Sequence, residues 1–341
     1  MRGVREKMND VSRILAAARV LQQDSGLMEK LVLSTGLSME NVQKGLAEHL
    51  EVDATEAELE RFVLRFGDAS RITVILAANV FVAALRAICC ARAKGERVTV
   101  RPSSREPELA AALVSQIADP AIELATSVDV KNLREGEIHV YGKDETIAKF
   151  KKAAHVPVIG HGHGLGVSWL TTATSVSDAI AALESDIVAF DQRGCLSLRI
   201  LFVEGGPTRA EEVGRALHRA LNTTKIPRGT LTREERAESV RFSDTMTMVG
   251  EVLSGHAHVV AIAPSDAPTI VPPTGRHVVV RHALRDAELT TALSPIAKWV
   301  CAFGTDDPAR AKALAPPHSR ISLLGHMQKP RLDGYVDLRV T

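Results

Sequence analysis

Cys195, in the stretch FDQRGCLSL, is the residue whose setting comes nearest to nucleophilic chemistry. An apolar helical run delivers the chain into a short polar loop, Gly194 lets the backbone turn, and the cysteine stands just before a strand-like run. Arg193 lies two residues away, and a neighbouring cation favours the thiolate, the form that attacks. The competing reading is a small buried hydrophobe, which is what most cysteines are. Cys89, Cys90 and Cys301 sit inside apolar stretches, and for them that second reading holds. No C-x-x-C pair exists, so the four cysteines form neither a zinc ribbon nor a disulfide framework. A reducing, cytoplasmic setting is expected.

Asn79 stands where a strand-like run gives way to a helical one. An amide there caps the helix or donates to a developing oxyanion on a ligand near the helix start, and the two roles are compatible. Arg101 ends a strand in RPSSREP, with Ser103 close behind. At the carboxyl end of a parallel strand, basic and hydroxyl groups meet phosphate or ribose; the alternative is a solvated loop. The GKDET turn, with Gly142 and Thr146, is a tight turn and helix start that could also contact a cofactor. His161 and His163, in HGHG, would share one face of a strand, but no nearby Asp, Glu or Cys completes a metal set. GHAH, at His256 and His258, has the same deficit, so no metal is expected.

The elements that must position these residues follow from hydrophobic period. Residues 1–70 read as helices, with apolar positions three and four apart in VSRILAAARVLQQ, SMENVQKGLAEHL and TEAELERFVLRF. Strand and helix then alternate. RITVILAA, ERVTVRPS, GEIHVYG and VPVIG are strands one to four, separated by VFVAALRAICCARAK, EPELAAALVSQIA and DETIAKFKKAA as helices. Such runs imply right-handed crossovers and a mostly parallel, buried sheet of the dinucleotide-binding type. A second α/β unit spans roughly residues 187–310, with strands at LSLRILFVEGG, HAHVVAIAP and RHVVVRHAL and a helix opened by Pro207. No G-x-G-x-x-G follows any strand, so the standard Rossmann fingerprint is absent.

Composition narrows the function classes. The chain has 341 residues, a formal charge of +1 and 4% aromatics, which favours neither nucleic acid nor an anionic membrane as partner. The apolar run Ile72–Cys90 is long enough to span a bilayer, but Asn79 and Arg86 interrupt it, so it reads as a buried strand entering a helix.

Taken in order, ANVFVAALRA, RPSSREPELAA, VYGKDETIAKFK, VIGHGHGLGV, DIVAFDQRGCLSL and SRISLLGHMQKPRLDGYVDL resemble the acyl-CoA reductase family of the aldehyde-dehydrogenase superfamily. The resemblance runs from about residue 70 to the C-terminus, and DQRGCLS is its most specific piece. It implies an aldehyde-dehydrogenase-like α/β fold of two domains with mostly parallel twisted sheets and a helical N-terminal segment. In this layout 71–186 bind a nicotinamide dinucleotide, 187–310 carry the cysteine, and 311–341 return to the cofactor domain or an oligomer interface.

The resemblance makes Cys195 the acyl-accepting nucleophile and Asn79 the oxyanion donor, partnered by the Cys195 backbone N–H. Arg101 falls where the superfamily commonly has a lysine contacting the adenosine ribose, and a guanidinium there suits a 2′-phosphate, favouring NADPH while leaving NADH open. Ser103, Gly142 and Thr146 fall among the cofactor contacts. The segment VIGHGHGLG lacks the glutamate that hydrolytic relatives use to activate water, which favours exchange with coenzyme A, and His161 or His163 become candidates for proton handling. A homo-oligomer is also implied. The alternatives are an acyl-phosphate reductase, a subunit that receives its acyl group from a partner protein, and a degenerate member that binds nucleotide or a partner without catalysis. AANVF, where Gly before and Pro after Asn79 are expected, and the lack of a match to the second-domain glutamate depart from the family pattern.

Overall fold

Side-chain caps fix where three of the four N-terminal helices begin in the computed structural model, which describes residues 2–283 and 285–340. After α1 (Val4–Leu21), Asp24 accepts from the Leu27 N–H to open α2 (Ser25–Thr35). Ser38 opens α3 (Met39–Glu48), and Thr55 with Glu58 forms a reciprocal capping box at α4 (Glu56–Leu64). Only Leu27 and Leu31 of α2 are buried, so its apolar period is weak and the sequence reading passes over it. Asp10 of α1 is buried and pairs with Arg2 and Arg92, each at 2.8 Å. Arg92 comes from the helix that follows the first strand, so this shared carboxylate ties the N-terminal helices to the sheet behind them.

The alternation then runs β1 (Ala69–Ile75), α5 (Ala83–Lys94), β2 (Gly95–Arg101), α6 (Glu108–Ile117), β3 (Ile122–Leu124), β4 (Glu137–Tyr141), α7 (Asp144–Ala153) and β5 (Val158–His161). These strands form one parallel sheet in the order β3-β2-β1-β4-β5. Its core is β-branched: Ile72, Val74, Val98, Val100, Ile138 and Val140 are all buried. Gly95 passes the chain from α5 straight into β2, and a side chain there would press on Ile72 Cγ1 at 2.8 Å and the Arg97 carbonyl at 2.9 Å. The three-residue β3 makes GEIHVYG the fourth strand and VPVIG the fifth, one later than the sequence count. Residues 329–335 belong with this unit. Arg86 holds them by donating to the Arg331 carbonyl at 2.6 Å, and Arg65 lies 3.9 Å from the centre of the Tyr335 ring.

The other unit comprises residues 164–328 and 336–339. It contains β6 (Leu165–Leu170), α8 (Val176–Val188), β7 (Leu198–Val203), α9 (Pro207–Thr223), α10 (Arg233–Thr247), β8 (Glu251–Ser254), β9 (Val259–Ala263), β10 (His277–His282), α11 (Asp286–Leu293), β11 (Val300–Thr305), α12 (Pro308–Ala311) and β12 (Arg320–Leu323). The sheet order is β12-β11-β6-β7-β10-β9-β8, and among the described residues only the edge strand β8 pairs antiparallel. The division between units falls after His163, not near residue 187. LGVSWL is buried at every position, so it shows no alternation by which sequence reading could find β6. Among the described residues, no helix is long and apolar enough to cross a membrane.

Candidate active site

Cys195 is set by the path of the chain between α8 and β7. After Val188 the backbone makes a tight kinked turn, Ala189–Gln192, in which Phe190, Asp191 and Gln192 all have positive φ, at 52°, 49° and 60°. None of the three is glycine. The turn is held from both sides. The buried Asp191 carboxylate receives Arg276 Nη2 at 2.8 Å and the Gly229 N–H at 2.9 Å. The Gln192 amide donates to the Leu198 carbonyl at 2.6 Å and accepts from the His277 N–H at 2.6 Å. A second turn follows, closed by the Ser197 N–H donating to the Gly194 carbonyl at 3.2 Å, and Cys195 sits in it half-buried.

The sulfur of Cys195 has a partner that the sequence does not announce. Cys301, on β11 and fully buried, packs with Cys195 around Gly164, and the interaction of the two thiols favours the Cys195 thiolate. Gly164 makes room for both: a Cβ there would run into Cys301 Sγ and stand 3.3 Å from Cys195 Cβ. The Cys301 hydrogen bond pulls the Cys195 thiol below its ordinary range, and the Arg339 guanidinium adds to this, against opposing contributions from burial and Asp337. Cys301 moves the other way, its proton held by the bond to Cys195 and by burial. Arg339 is fixed by Asp337, with contacts of 2.8 and 2.6 Å. Arg193, which the sequence offered as the activating cation, donates instead to the Thr230 carbonyl at 3.1 Å and lies 3.6 Å from Glu235. Cys301 is thus more than the inert hydrophobe expected, and Arg339 takes the place of Arg193.

In the other unit, the remaining candidates share one edge of the five-stranded sheet. Asn79 follows β1, Arg101 ends β2 with Ser103 beyond it, Gly142 and Thr146 follow β4, and His161 ends β5. The strand order reverses between β1 and β4, and the crevice beyond the carboxyl ends at such a point is where open parallel sheets bind ligands. Arg101 is registered there by its carbonyl, which accepts from the Leu76 N–H at 2.9 Å. Gly142 donates its N–H to the His161 carbonyl at 3.2 Å, and Ser103 Oγ accepts from the Arg105 N–H at 3.3 Å. Asn79 is exposed and does not cap α5, whose N-cap is Val82 with no side-chain cap. The capping role is excluded by its distance from the helix start.

His161 and His163 do not share a strand face, because β5 ends at His161. His161 stacks on Tyr141 with ring centres 4.0 Å apart, and its Nε2 is 3.1 Å from Nδ1 of His139. Burial lowers the pKa of His139, against an opposing pull from Glu137. His163 is exposed and its backbone N–H donates to Asp144 at 3.3 Å. In the GHAH run, His258 Nε2 meets His218 Nδ1 at 3.0 Å, and burial, with His218 beside it, brings the His258 pKa down to about 4. Among the described residues, no group of three His, Cys, Asp or Glu side chains is arranged to hold a metal ion.

Comparison with known proteins bears on both units. Among solved structures, the chain is similar to an NADP-dependent glyceraldehyde-3-phosphate dehydrogenase from Bacillus halodurans C-125 complexed with NADP. They share 12% identity and a TM-score of 0.73, over 95% of this chain and 79% of that one. A lactaldehyde dehydrogenase from Escherichia coli matches at 13% identity and a TM-score of 0.72, over 98% and 83%. An NAD-dependent benzaldehyde dehydrogenase from Corynebacterium glutamicum matches at 15% and 0.70, over 94% and 81%. At such identities the likeness establishes the aldehyde-dehydrogenase-like fold alone. No curated protein matches the sequence. The family model described as acyl-CoA reductase (LuxC) matches residues 15–339, nearly the whole chain, and the protein therefore belongs to that family of oxidoreductases acting on acyl or aldehyde groups.

Proposed function

We propose that the chain reduces an acyl-CoA thioester to an aldehyde through a thioacyl group on Cys195, with NADPH preferred over NADH as reductant. The observation that carries this reading is the packing of Cys195 with Cys301 around Gly164, on a loop the family match includes, where the second thiol favours the Cys195 thiolate. A nucleophilic cysteine needs such a setting, because the thiolate is the attacking form.

In the proposed reaction the Cys195 sulfur bonds to the thioester carbon, and the displaced electron pair rests on oxygen. The Cys195 backbone N–H and the Asn79 amide serve as its donors. As the carbonyl reforms, the carbon–sulfur bond to coenzyme A breaks and the thiolate leaves, to be protonated by solvent, His161 or His163. NADPH held by Arg101, Ser103, Gly142 and Thr146 would supply the hydride that reduces the thioacyl carbon. The resulting oxyanion collapses, releases the aldehyde and returns Cys195 to the thiolate that Cys301 supports.

The donor set at the carboxyl edge of the five-stranded sheet suits such a cofactor. Arg101 brings a guanidinium, Ser103 and Thr146 bring hydroxyls, and Gly142 leaves the backbone uncovered beside Thr146. These groups match phosphate and ribose. The segment from Val158 to Gly166 carries no carboxylate to activate water, which supports transfer to and from coenzyme A over hydrolysis. Incubation with NADPH and a series of acyl-CoAs should yield aldehyde with matching loss of nicotinamide absorbance, and Cys195→Ala should yield none. Turnover of acyl phosphates with none of acyl-CoAs would replace this reading by the acyl-phosphate one, and activity only in a complex would point to a partner-delivered acyl group.

A further inference from the structure

Three successive left-handed residues directly before a turn that carries a nucleophile need an explanation. For residues with a Cβ this backbone region is unfavourable, and it persists where the surroundings over-determine it. Here the surroundings are ionic. Asp191 and Arg276 are 0% and 1% exposed at their side chains, and Arg276 is itself left-handed, at φ 69°. Arg276 also donates to the Ile226 and Pro227 carbonyls at 2.7 and 3.1 Å. The Asp191 carbonyl accepts from the Gly275 N–H at 2.9 Å, so the strained turn is bonded to both segments that flank it.

Stability gives a poor account of this arrangement. A buried ion pair is often replaceable by apolar residues without loss, because desolvation offsets the attraction. What the pair and Gln192 do secure is one backbone path into Gly194 and Cys195.

We propose that Asp191, Arg276 and Gln192 are positioning residues that aim the Cys195 sulfur for acyl transfer. This rests on the acyl-transfer reading above. Their bonds run to backbone and to one another, and they act on the reaction through the direction of the Cys195 loop. Misplacement of a reacting atom by about 1 Å costs roughly 100-fold in rate.

The test uses the full chain and two variants, Asp191→Leu with Arg276→Met together, and Gln192→Met alone. The first exchanges the ion pair for apolar contact, and the second leaves the pair in place while freeing the same turn. Acylation of Cys195 is followed by intact mass over a range of acyl-CoA concentrations, beside thermal melting and the pH profile of iodoacetamide alkylation. In whichever variant keeps the wild-type melting temperature, the maximal acylation rate should fall about 100-fold. The half-saturating acyl-CoA concentration should stay near wild type, and the alkylation midpoint should rise as the displaced sulfur loses its interaction with Cys301. A folded variant that acylates at the wild-type rate overturns the proposal. So does melting of both variants below the assay temperature, since the residues then hold the fold. A wild-type chain that takes no acyl group contradicts the acyl-transfer reading itself, a result separable from variants that match an active wild type.

Discussion

Cys195 and Cys301 pack together around Gly164, and their interaction shifts the two thiols in opposite directions: the Cys195 pKa is lowered and that of Cys301 raised. Neither is in a disulfide. A depressed thiol pKa means that the thiolate is already present at pH values where an ordinary cysteine, near 8.5, is still protonated. Alkylation of Cys195 should therefore rise through a midpoint below that value. In Cys301→Ala the midpoint should move up, because the hydrogen bond that favours the thiolate is lost. The two proteins should differ most between the two midpoints and converge at high pH. Coincident profiles would show that Cys301 does not tune the nucleophile.

Gly164 predicts an effect on packing. Its added methyl group in Gly164→Ala would strike Cys301 Sγ and crowd Arg339 Nη2 at 3.1 Å. Overpacking of this kind costs about 1–3 kcal/mol, and here it also pushes the thiols apart. Melting and alkylation should both suffer. At Gly142 a methyl group would meet only Thr146, at 3.8 Å or more, so Gly142→Ala should change stability by less than about 0.5 kcal/mol.

Asn79 is exposed and caps nothing, so Asn79→Ala should melt as wild type does. If the amide holds the oxyanion, turnover should drop about 10²–10³-fold, the usual consequence of losing one such donor. Wild-type turnover in this variant would remove Asn79 from the reaction.

Arg101 bears on cofactor choice. A guanidinium that receives a 2′-phosphate contributes about 1.5–3 kcal/mol, so Arg101→Gln should raise KM for NADPH roughly 10- to 100-fold and leave KM for NADH nearly unchanged. Equal changes for both cofactors would place Arg101 elsewhere in the site.

Much of this architecture is legible in residue patterns. The helices with strong apolar period and the β-branched strands of both sheets stand where their sequences put them, and Pro207 opens α9 as expected. What escapes has a physical reason in each case. The buried run LGVSWL has no alternation, β3 has three residues with only Ile122 buried, and α10 buries only Phe242 and Met246. Cys195 is marked by its loop, but Cys301 is not, because a buried thiol on a strand looks the same in sequence whether or not it touches another sulfur. Arg193 was the cation nearest in sequence, while Arg339, far along the chain, is the one that acts on Cys195. The clamp between Asp191 and Arg276 is equally hidden, since positive φ at three successive non-glycine residues leaves no compositional trace.

The central claim is that Cys195 accepts an acyl group from coenzyme A, and intact mass tests it most directly. The purified protein is incubated with acyl-CoAs of increasing chain length, without nicotinamide, beside Cys195→Ala. The account predicts a mass increase of one acyl group on the wild-type chain and none on the variant, with the chain length that labels fastest marking the preferred substrate. An unlabelled wild-type chain with every acyl-CoA, or equal labelling of the variant, would contradict it.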